Sequence, residues 1–283
     1  MILAAIDIGS NAARLLICEV IKKGKEVTFN KLNLLRIPVR LGFDVFEKGN
    51  IGGQKRRMLI NTIKSFNNLM KVYEVDHYMA CATSAMRDAE NAKEIIKEIK
   101  SETSIEIEVI TGELEAEIIY ENHIAEFLDN NKSYLYADVG GGSTELTLYH
   151  KGKVIIQKSF NIGTVRLLTN KVKDSTWEDM KETLKDLSKK YDDIIGIGSG
   201  GNINKVYAIA GAKPSKSLTY DEIKDIYKQM EPLTVEERMK QYIIKEDRAE
   251  VIVPALKIYN AICKWGNINE MHVPKIGLAD GLI

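Results

Sequence analysis

An acidic, glycine-rich motif lies near the middle of the chain, where Asp138 is followed by three glycines and then by Glu145. Apolar residues precede Asp138, and the alternating Leu146 and Leu148 follow Glu145, so the pattern predicts two strands joined by a tight turn. Glycines in such a turn allow backbone N–H groups to face an anion. The motif therefore suggests a phosphate-binding loop, although an ordinary glycine-rich hairpin would have the same local pattern.

The same pattern opens the chain, which makes it an internal repeat. The matched pairs are Asp7 with Asp138, Gly9 with Gly140, Ser10 with Gly141, Asn11 with Gly142, Leu15 with Leu146 and Ile17 with Leu148. Each copy continues into a basic turn and a further β-rich run. The duplication predicts two domains of common origin, whose two loops we expect to lie opposite each other across a cleft. This arrangement resembles the superfamily of actin, sugar kinases and heat-shock ATPases.

A cluster of acids at a predicted helix start contains a second candidate for chemistry. The helix dipole alone favours carboxylates in a first turn. At about 100° per residue, Glu113, Glu117 and Glu121 share one polar stripe, whereas Glu115 falls on the apolar arc between Ile118 and Ile119. A carboxylate at such a position needs a reason, so Glu115 is a candidate functional residue.

Two further segments are suited to phosphate. Arg87 follows a buried strand and two hydroxyl residues, and a guanidinium matches phosphate oxygens two at a time. A helix N-cap beside a solvated arginine would produce the same pattern. Gly196, Gly198 and Gly201 formally satisfy G-x-G-x-x-G after another predicted strand. Because no strand with an acid follows at the right distance, we prefer a third phosphate loop, which includes Gly200, to a dinucleotide-binding fold.

Periodicity predicts the elements that position these motifs. Apolar spacings of three and four over residues 59–73 predict a buried helix face, and strict alternation over 105–109 predicts a strand. Residues 34–42 are expected to be irregular. The Thr-x-x-Glu patterns at 219–222 and 234–237 are capping boxes, so helices are expected to start there.

Composition bounds the remaining possibilities. The chain has 283 residues, of which 45% are hydrophobic and 28% are charged, enough for two domains with proper cores. Forty basic and forty acidic residues cancel, so no overall field attracts nucleic acid or a membrane. Three widely spaced cysteines indicate neither a disulfide framework nor a zinc site, which favours a reducing, cytoplasmic setting. The N-terminal apolar run is too short for a signal peptide, and no segment has transmembrane length.

Taken in chain order, the motifs resemble the exopolyphosphatase and guanosine pentaphosphate phosphatase family in its short, two-domain form. The segments that carry the resemblance are Asp7–Asn11, Ala82–Arg87, Gly112–Ala116, Asp138–Glu145, Gly198–Gly201, Glu236–Arg238 and Arg248–Glu250. The resemblance implies an α/β fold of two duplicated ribonuclease-H-like, or actin-like ATPase, domains with a cleft between them. We expect these domains at residues 1–121 and 122–283.

The resemblance also implies roles for individual residues. Glu115 is implied as the base that activates water, and Asp138 and Glu145 as its partners in catalysis. The implied ligands of a divalent cation, expected to be Mg²⁺, are Asp7, Asp138 and Glu145. The implied phosphate-binding residues are Gly9, Ser10, Asn11, Arg87, Gly140, Gly141, Gly142, Ser143, Thr144, Gly198, Gly200 and Gly201.

The expected activity is release of terminal orthophosphate from inorganic polyphosphate. Guanosine pentaphosphate is the alternative substrate, and a sensor that binds polyphosphate or a nucleotide without turnover is a second class. Ala12 is the reason to retain the sensor as an alternative function, because a serine or threonine is usual at that position in the family. Ala255 also departs from the family pattern, which usually has glycine there. A sugar-kinase-like enzyme is disfavoured because Glu115 is suited to recruit the water that a kinase must exclude. No nucleic acid or membrane partner is expected, and a homodimer is left open.

Overall fold

The computed structural model describes residues 1–24, 26–121, 129, 131–211, 216–274 and 277–283. The chain divides into two compact units, Met1–Ile119 with Leu278–Ile283, and Tyr120–Gly277. The expected domain boundary at 121/122 borders residues 122–128, which lie outside the described residues. The assignment of all of 122–283 to the second domain differs from this division, because the last six residues belong to unit 1. No local sequence pattern indicates that the last residues of the chain pack against the first unit.

Unit 1 contains five strands, β1 (Ile2–Ile8), β2 (Ala13–Lys23), β3 (Glu26–Ile37), β4 (His77–Ala82) and β5 (Glu108–Val109). They form one sheet in the order β3-β2-β1-β4-β5. The first three strands are antiparallel neighbours, whereas β4 pairs parallel with β1, and β5 parallel with β4. The helices of this part of the chain are α1 (Leu41–Lys48), α2 (Gly53–Val72), α3 (Ser84–Asp88), α4 (Ala92–Thr103) and α5 (Gly112–Glu121).

Unit 2 contains β6 (Ser133–Val139), β7 (Thr144–His150), β8 (Lys153–Phe160), β9 (Ile194–Ser199), β10 (Leu218–Thr219) and β11 (Glu270–His272). The sheet order is β10-β11-β9-β6-β7-β8. Its helices are α6 (Thr164–Leu168), α7 (Asp174–Lys190), α8 (Gly201–Ile209), α9 (Tyr220–Met230), α10 (Val235–Tyr242) and α11 (Glu246–Gly266). The last helix of the chain, α12 (Leu278–Gly281), packs on β1 and β2 of unit 1.

The two sheets repeat one topology. The order β3-β2-β1-β4-β5 in unit 1 recurs as β8-β7-β6-β9-β11 in unit 2, with the same antiparallel and parallel pairings. This is the duplicated ribonuclease-H-like α/β fold that the sequence predicted. In both units the acidic glycine turn connects the two strands at the centre of the repeat, β1 with β2 and β6 with β7.

The buried helices follow the predicted periodicities. The α2 face formed by Leu59, Ile63, Phe66 and Met70 is buried, as its spacing indicated. In unit 2, α11 is the central helix, packed against α6, α7, α8, α9 and α10, and it is therefore buried on several sides. No helix of the described residues combines the length and hydrophobicity that crossing a membrane requires.

Local predictions succeeded at the capping boxes and failed at two strands. Both capping boxes are present, at the starts of α9 and α10. The strand predicted at 105–109 is limited to Glu108–Val109. Alternation indicates that one face of a segment is buried, but it does not show which residues pair with a neighbouring strand. Here β4 pairs with the segment only through Cys81 and Ala82. The stretch 34–42 is not wholly irregular, since β3 continues along β2 to Ile37.

Candidate active site

Asp138 and Glu145 lie directly opposite each other across the antiparallel pair of β6 and β7. Opposed residues in such a pair have their side chains on the same face of the sheet, a few ångströms apart. Asp138 is only 9% exposed and Glu145 only 1%. The Ser159 hydroxyl on β8 donates to Glu145 Oε1 at 2.8 Å. Two adjacent, nearly buried carboxylates repel each other, and a cation bound beside them would relieve that repulsion.

The glycine turn between β6 and β7 is held in shape by its own backbone. The Gly140 N–H donates to the Ser143 carbonyl at 2.9 Å, and the Thr164 N–H at the start of α6 donates to the Gly140 carbonyl at 3.0 Å. A Cβ on Gly163 would lie 2.5 Å from backbone atoms of Gly141, so only glycine permits this approach. The carbonyls of the turn are thus engaged from the side of α6.

Two predicted phosphate ligands near this turn also have internal partners. Thr144 is fully buried, and its hydroxyl donates to the Ile162 carbonyl at 2.6 Å. The Gly142 carbonyl accepts a hydrogen bond from Arg166 Nε at 2.8 Å. These contacts hold the turn to the segment that follows β8, and whether these residues also bind phosphate stays a prediction.

The third glycine loop lies beside the same acid. Strand β9 runs parallel to β6 with Ser199 opposite Asp138, and α8 begins directly after it. Gly200 has a φ of 93°, and a Cβ on it would lie 2.9 Å from Asp138 Oδ1. The Arg248 guanidinium covers Gly201 and donates to Asn202 Oδ1 at 2.6 Å.

Gly198 has a different role from the other glycines of this loop. A Cβ on it would lie 2.8 Å from Met271 Sδ on β11, and 3.0 Å from a side-chain carbon of Ile203. The glycine therefore permits close packing under the loop. The sequence placed it among the phosphate-binding residues, a role that the structure leaves as a prediction.

In unit 1, the corresponding hairpin carries an ion pair. Asp7 lies opposite Arg14 across β1 and β2, and the two side chains form a salt bridge. Arg14 thus stands where the second repeat has Glu145. The sequence analysis missed Arg14, although the repeat contained the signal, since matching Leu15 with Leu146 also matches Arg14 with Glu145.

The turn after Asp7 repeats the closure seen in unit 2. The Gly9 N–H donates to the Ala12 carbonyl at 3.0 Å. The Ser10 carbonyl accepts from the Gly42 N–H at 2.8 Å, and the Asn11 carbonyl accepts from the Arg40 N–H at 2.9 Å. The helix after the hairpin therefore braces the turn, as α6 does in unit 2.

Hydroxyls meet beside this turn. Ser10 and Ser84 are both buried, and their Oγ atoms are hydrogen-bonded at 2.8 Å. Ser84 starts α3, at the end of β4, where the sequence predicted a strand-to-helix loop.

Glu115 is buried on α5 as its helical position indicated. It is 9% exposed, whereas Glu113 and Glu117 are exposed, as predicted for these three residues. The side chains of Ile119 and Glu121 lie outside the described residues. The pKa of the Cys81 thiol on β4 is raised to about 11, first by burial and then by the negative charges of Glu108, Asp7 and Glu115. Asp7 lies opposite Cys81 across the parallel pair of β1 and β4.

Arg87 supports the segment that leads into α5. Its Nη1 donates to the Ile110 carbonyl at 2.7 Å, two residues before Gly112 begins the helix that carries Glu115. The arginine is half-buried. One N–H of its guanidinium thus has a backbone partner, and the predicted contact with phosphate stays a prediction.

The described residues include no group of three or more His, Cys, Asp and Glu side chains that could hold a metal ion. The predicted ligands divide between the units, with Asp7 in unit 1 and Asp138 and Glu145 in unit 2. Magnesium usually keeps several waters and binds through one or two carboxylates together with substrate phosphates. The all-oxygen pair of Asp138 and Glu145 beside two glycine loops fits that chemistry.

Two ribonuclease-H-like units, each with an acidic glycine hairpin at its centre, define a protein of the actin-like ATPase class of folds. The chain belongs to the Ppx/GppA phosphatase family, whose family model matches residues 20–283.

Relatives in this family differ in length and in name. The chain is 34% identical over 215 residues to a bifunctional 3-dehydroquinate synthase/phosphatase of Fusobacterium nucleatum, covering 69% of this chain and 32% of that protein. It is 23% identical to exopolyphosphatase 1 of Mycobacterium tuberculosis, covering 100% of this chain and 87% of that protein. It is 27% identical to a guanosine-5'-triphosphate,3'-diphosphate pyrophosphatase of Aliivibrio fischeri, covering 99% of this chain and 58% of that protein. The chain therefore spans only part of the first and third relatives.

Solved structures agree with the fold. A Ppx/GppA family member from Aquifex aeolicus superposes with a TM-score of 0.75 at 29% identity, covering 99% of this chain and 95% of that one. An exopolyphosphatase from Cytophaga hutchinsonii superposes with a TM-score of 0.85 at 24% identity, covering 99% and 96% of the two chains, and shows the fold alone.

Proposed function

We propose that this phosphatase-family chain is an exopolyphosphatase, which releases terminal orthophosphate from inorganic polyphosphate. The observation that carries the proposal is the opposed, nearly buried pair of Asp138 and Glu145 beside two glycine loops. A polyanion needs its charge balanced and its oxygens bound, and these are the groups that such loops and a carboxylate-held cation supply. The relative named exopolyphosphatase 1 matches the whole chain, which supports the same substrate class.

In this proposal, the chain binds and orients the substrate, and no side chain acts as a nucleophile. The Gly9 and Gly140 N–H groups close their own turns, so other backbone N–H groups of the glycine turns bind phosphate oxygens, and Arg87 adds a guanidinium donor. A divalent cation, proposed to be Mg²⁺, would be held by Asp138 and Glu145, with Asp7 as a further candidate, and would neutralise phosphate charge. Glu115 accepts the proton of the attacking water.

Guanosine pentaphosphate is the second candidate substrate. The chain matches the relative named guanosine-5'-triphosphate,3'-diphosphate pyrophosphatase over 99% of its own length. Both substrates end in a phosphoanhydride-linked phosphate, so one set of loops and one base would serve either. We also infer a cytoplasmic setting, supported by three free, buried cysteines, and propose neither nucleic acid nor membrane as a partner.

The test is orthophosphate release from long polyphosphate, guanosine pentaphosphate and ATP, each with magnesium and with excess chelator. The proposal expects magnesium-dependent release that is fastest from polyphosphate. Faster release from guanosine pentaphosphate would transfer the assignment to the nucleotide. Binding of polyphosphate with no release from any substrate under any divalent metal would contradict the enzyme and favour a sensor.

A further inference from the structure

A row of side chains crosses three neighbouring strands of unit 2. Asp138 on β6 lies opposite Glu145 on β7, and Glu145 lies opposite Ser159 on β8. Residues paired in this way have their side chains on the same face of an antiparallel sheet. The Ser159 hydroxyl donates to Glu145 Oε1 at 2.8 Å. The edge strand β8 therefore contributes a hydrogen-bond donor to one of the two acids.

The corresponding row of unit 1 has different side chains. There Asp7 lies opposite Arg14, and Arg14 lies opposite Arg36. The second copy of the sheet thus has Glu145 and Ser159 at the positions of the two arginines. A hydroxyl donates a hydrogen bond to a carboxylate but adds no positive charge. Ser159 is therefore able to orient Glu145 without itself competing with a cation.

The lysine next to Ser159 points away from this row. Lys158 directly precedes Ser159, so the alternation of side chains along a strand places it on the opposite face of the sheet. Its Nζ donates to Asp179 Oδ1 on α7 at 2.6 Å. Strand β8 thus presents a hydroxyl to the acid pair and directs its ammonium group to a helix on the other face.

The carboxylate of Glu145 needs a partner to fix its orientation. The terminal torsion of a glutamate has broad minima, so the carboxylate plane is poorly defined by the side chain alone. Glu145 is 1% exposed, and bulk solvent hardly reaches it. Its hydrogen bond from Ser159 restricts rotation of the carboxylate. Carboxylates that bind metal ions are commonly held by such partners, whose loss typically weakens metal affinity or activity by about 10–100-fold.

We propose that Ser159 is a positioning residue for the divalent cation of this phosphohydrolase, whose hydroxyl holds the Glu145 carboxylate in the orientation that binds the cation beside Asp138. The inference rests on the proposed function, in which Asp138 and Glu145 hold the cation. It predicts that loss of the hydroxyl weakens Mg²⁺ binding, and that a high Mg²⁺ concentration restores most of the phosphate release.

The test compares Ser159→Ala with a matched control, Ser133→Ala. Ser133 is the first residue of β6 and is 4% exposed, and its Oγ is hydrogen-bonded to Nδ1 of His150 at 2.9 Å. Each serine thus makes a side-chain hydrogen bond to the residue opposite it on β7. Ser133, however, lies roughly 16 Å from Asp138 along the strand. Calorimetry measures Mg²⁺ binding in the presence of inorganic phosphate, and orthophosphate release is measured as a function of Mg²⁺ concentration.

For Ser159→Ala, we expect the dissociation constant of Mg²⁺ to rise about tenfold or more, and the Mg²⁺ concentration for half-maximal release to rise by a similar factor. At saturating Mg²⁺, release should stay within about threefold of the parent rate, because the lost interaction acts on cation binding. Ser133→Ala should leave the dissociation constant within about twofold of the parent value, since the site is distant. Unchanged Mg²⁺ affinity in Ser159→Ala, or equal losses in the two variants, would overturn the proposal.

A second variant keeps the test decisive if Ser159→Ala does not fold. Ser159→Cys stays close to the size of the serine, but a thiol is only a weak donor, so Mg²⁺ affinity should fall in this variant as well. An affinity equal to that of the parent would overturn the proposal.

The same measurements separate the role of Ser159 from the proposed function. A parent protein that binds Mg²⁺ but releases no phosphate would contradict the proposed function, while the affinities of the variants would still decide the role of Ser159. A parent that releases phosphate but binds no Mg²⁺ would overturn the role of Ser159 and leave the phosphatase activity standing.

Discussion

Arg14 and Glu145 occupy the same position in two copies of one hairpin, Arg14 opposite Asp7 and Glu145 opposite Asp138. The first hairpin therefore balances its acid with a guanidinium inside the unit. The second places two acids together. Duplication has thus produced two loops of one shape and different charge, and the cation-binding role is proposed chiefly for the second.

The first prediction concerns that cation. Glu145→Gln should lower orthophosphate release by at least about 10²-fold, because a carboxylate that balances the cation is lost from a nearly buried site. Excess chelator should have the same effect on the parent protein. Calorimetric titration with Mg²⁺ in the presence of a non-hydrolysed phosphate analogue should show weakened cation binding in the variant.

The control for this prediction is Glu178→Gln, on the surface of α7, where Glu178 pairs with Lys181 at 2.8 Å. It should leave both release and cation binding unchanged, since an exposed pair contributes little. Undiminished release in excess chelator would refute the metal assignment.

The second prediction concerns the ion pair of the first hairpin. Arg14→Gln leaves the buried Asp7 carboxylate without its guanidinium partner, and we expect a loss of about 1–3 kcal/mol in the free energy of unfolding, below the range for fully buried pairs because Arg14 is partly exposed. The double variant Asp7→Asn with Arg14→Gln should recover part of that loss, since no buried charge remains. Denaturant unfolding measures both, and a double variant as unstable as the sum of the singles would contradict the coupling.

The third prediction concerns the capping box at α9. Thr219→Ala should cost about 1 kcal/mol of unfolding free energy, because the side chain accepts the Glu222 N–H at 3.2 Å. Ser188→Ala, near the exposed end of α7, should change stability by less than about 0.5 kcal/mol. Equal losses in the two variants would show that the box contributes nothing at Thr219.

The same box predicts a pH dependence. Hydrogen bonds from the Thr219 backbone and side chain, with Lys216 nearby, hold the pKa of Glu222 below its usual 4.5. A carboxyl group whose pKa is lower in the folded state than in the unfolded state stabilises the folded state at pH values above its unfolded-state pKa. This contribution is lost as the pH falls through the folded-state pKa. The stability difference between parent and Thr219→Ala should therefore shrink below about pH 4.5. A difference that stays constant from pH 7 to pH 3 would contradict this.

The fourth prediction uses the neutral formal charge of the chain. With 40 basic and 40 acidic residues the formal charges cancel, so attraction of a long polyanion would depend on local cations such as Arg36, Arg40, Arg166 and Lys205. Affinity for long polyphosphate should therefore weaken more steeply with salt than affinity for a short phosphorylated ligand. Equal salt slopes would argue against an extended polyphosphate track and favour the nucleotide substrate.

Local patterns predicted much of the local structure around the candidate site residues. The hairpin, its glycines and its duplication follow from residue order within a dozen positions, and the helical spacing around Glu115 correctly predicted that it is buried while Glu113 and Glu117 are exposed. These features depend on neighbours in sequence, which a single chain displays directly.

Contacts between distant segments were beyond such patterns. Three contacts join residues that no periodicity relates: the return of Leu278–Ile283 to unit 1, the hydrogen bond from Arg87 to the Ile110 carbonyl, and the hydrogen bond from Tyr259 to the Ser199 carbonyl. Tyr259 is instructive because its ring fits the apolar pattern of α11, while its hydroxyl, which the pattern ignores, donates to the Ser199 carbonyl.

The central claim is that Glu115 serves as the general base of a phosphohydrolase, and Glu115→Gln tests it most directly. The glutamine keeps the size of the side chain but cannot accept the proton, so orthophosphate release should fall by roughly 10² or more, while binding of polyphosphate persists. Glu113→Gln and Glu117→Gln, on the exposed stripe of the same helix, should change the rate only a few-fold. If all three variants release phosphate at similar rates, the base assignment and the mechanism proposed for this site are contradicted.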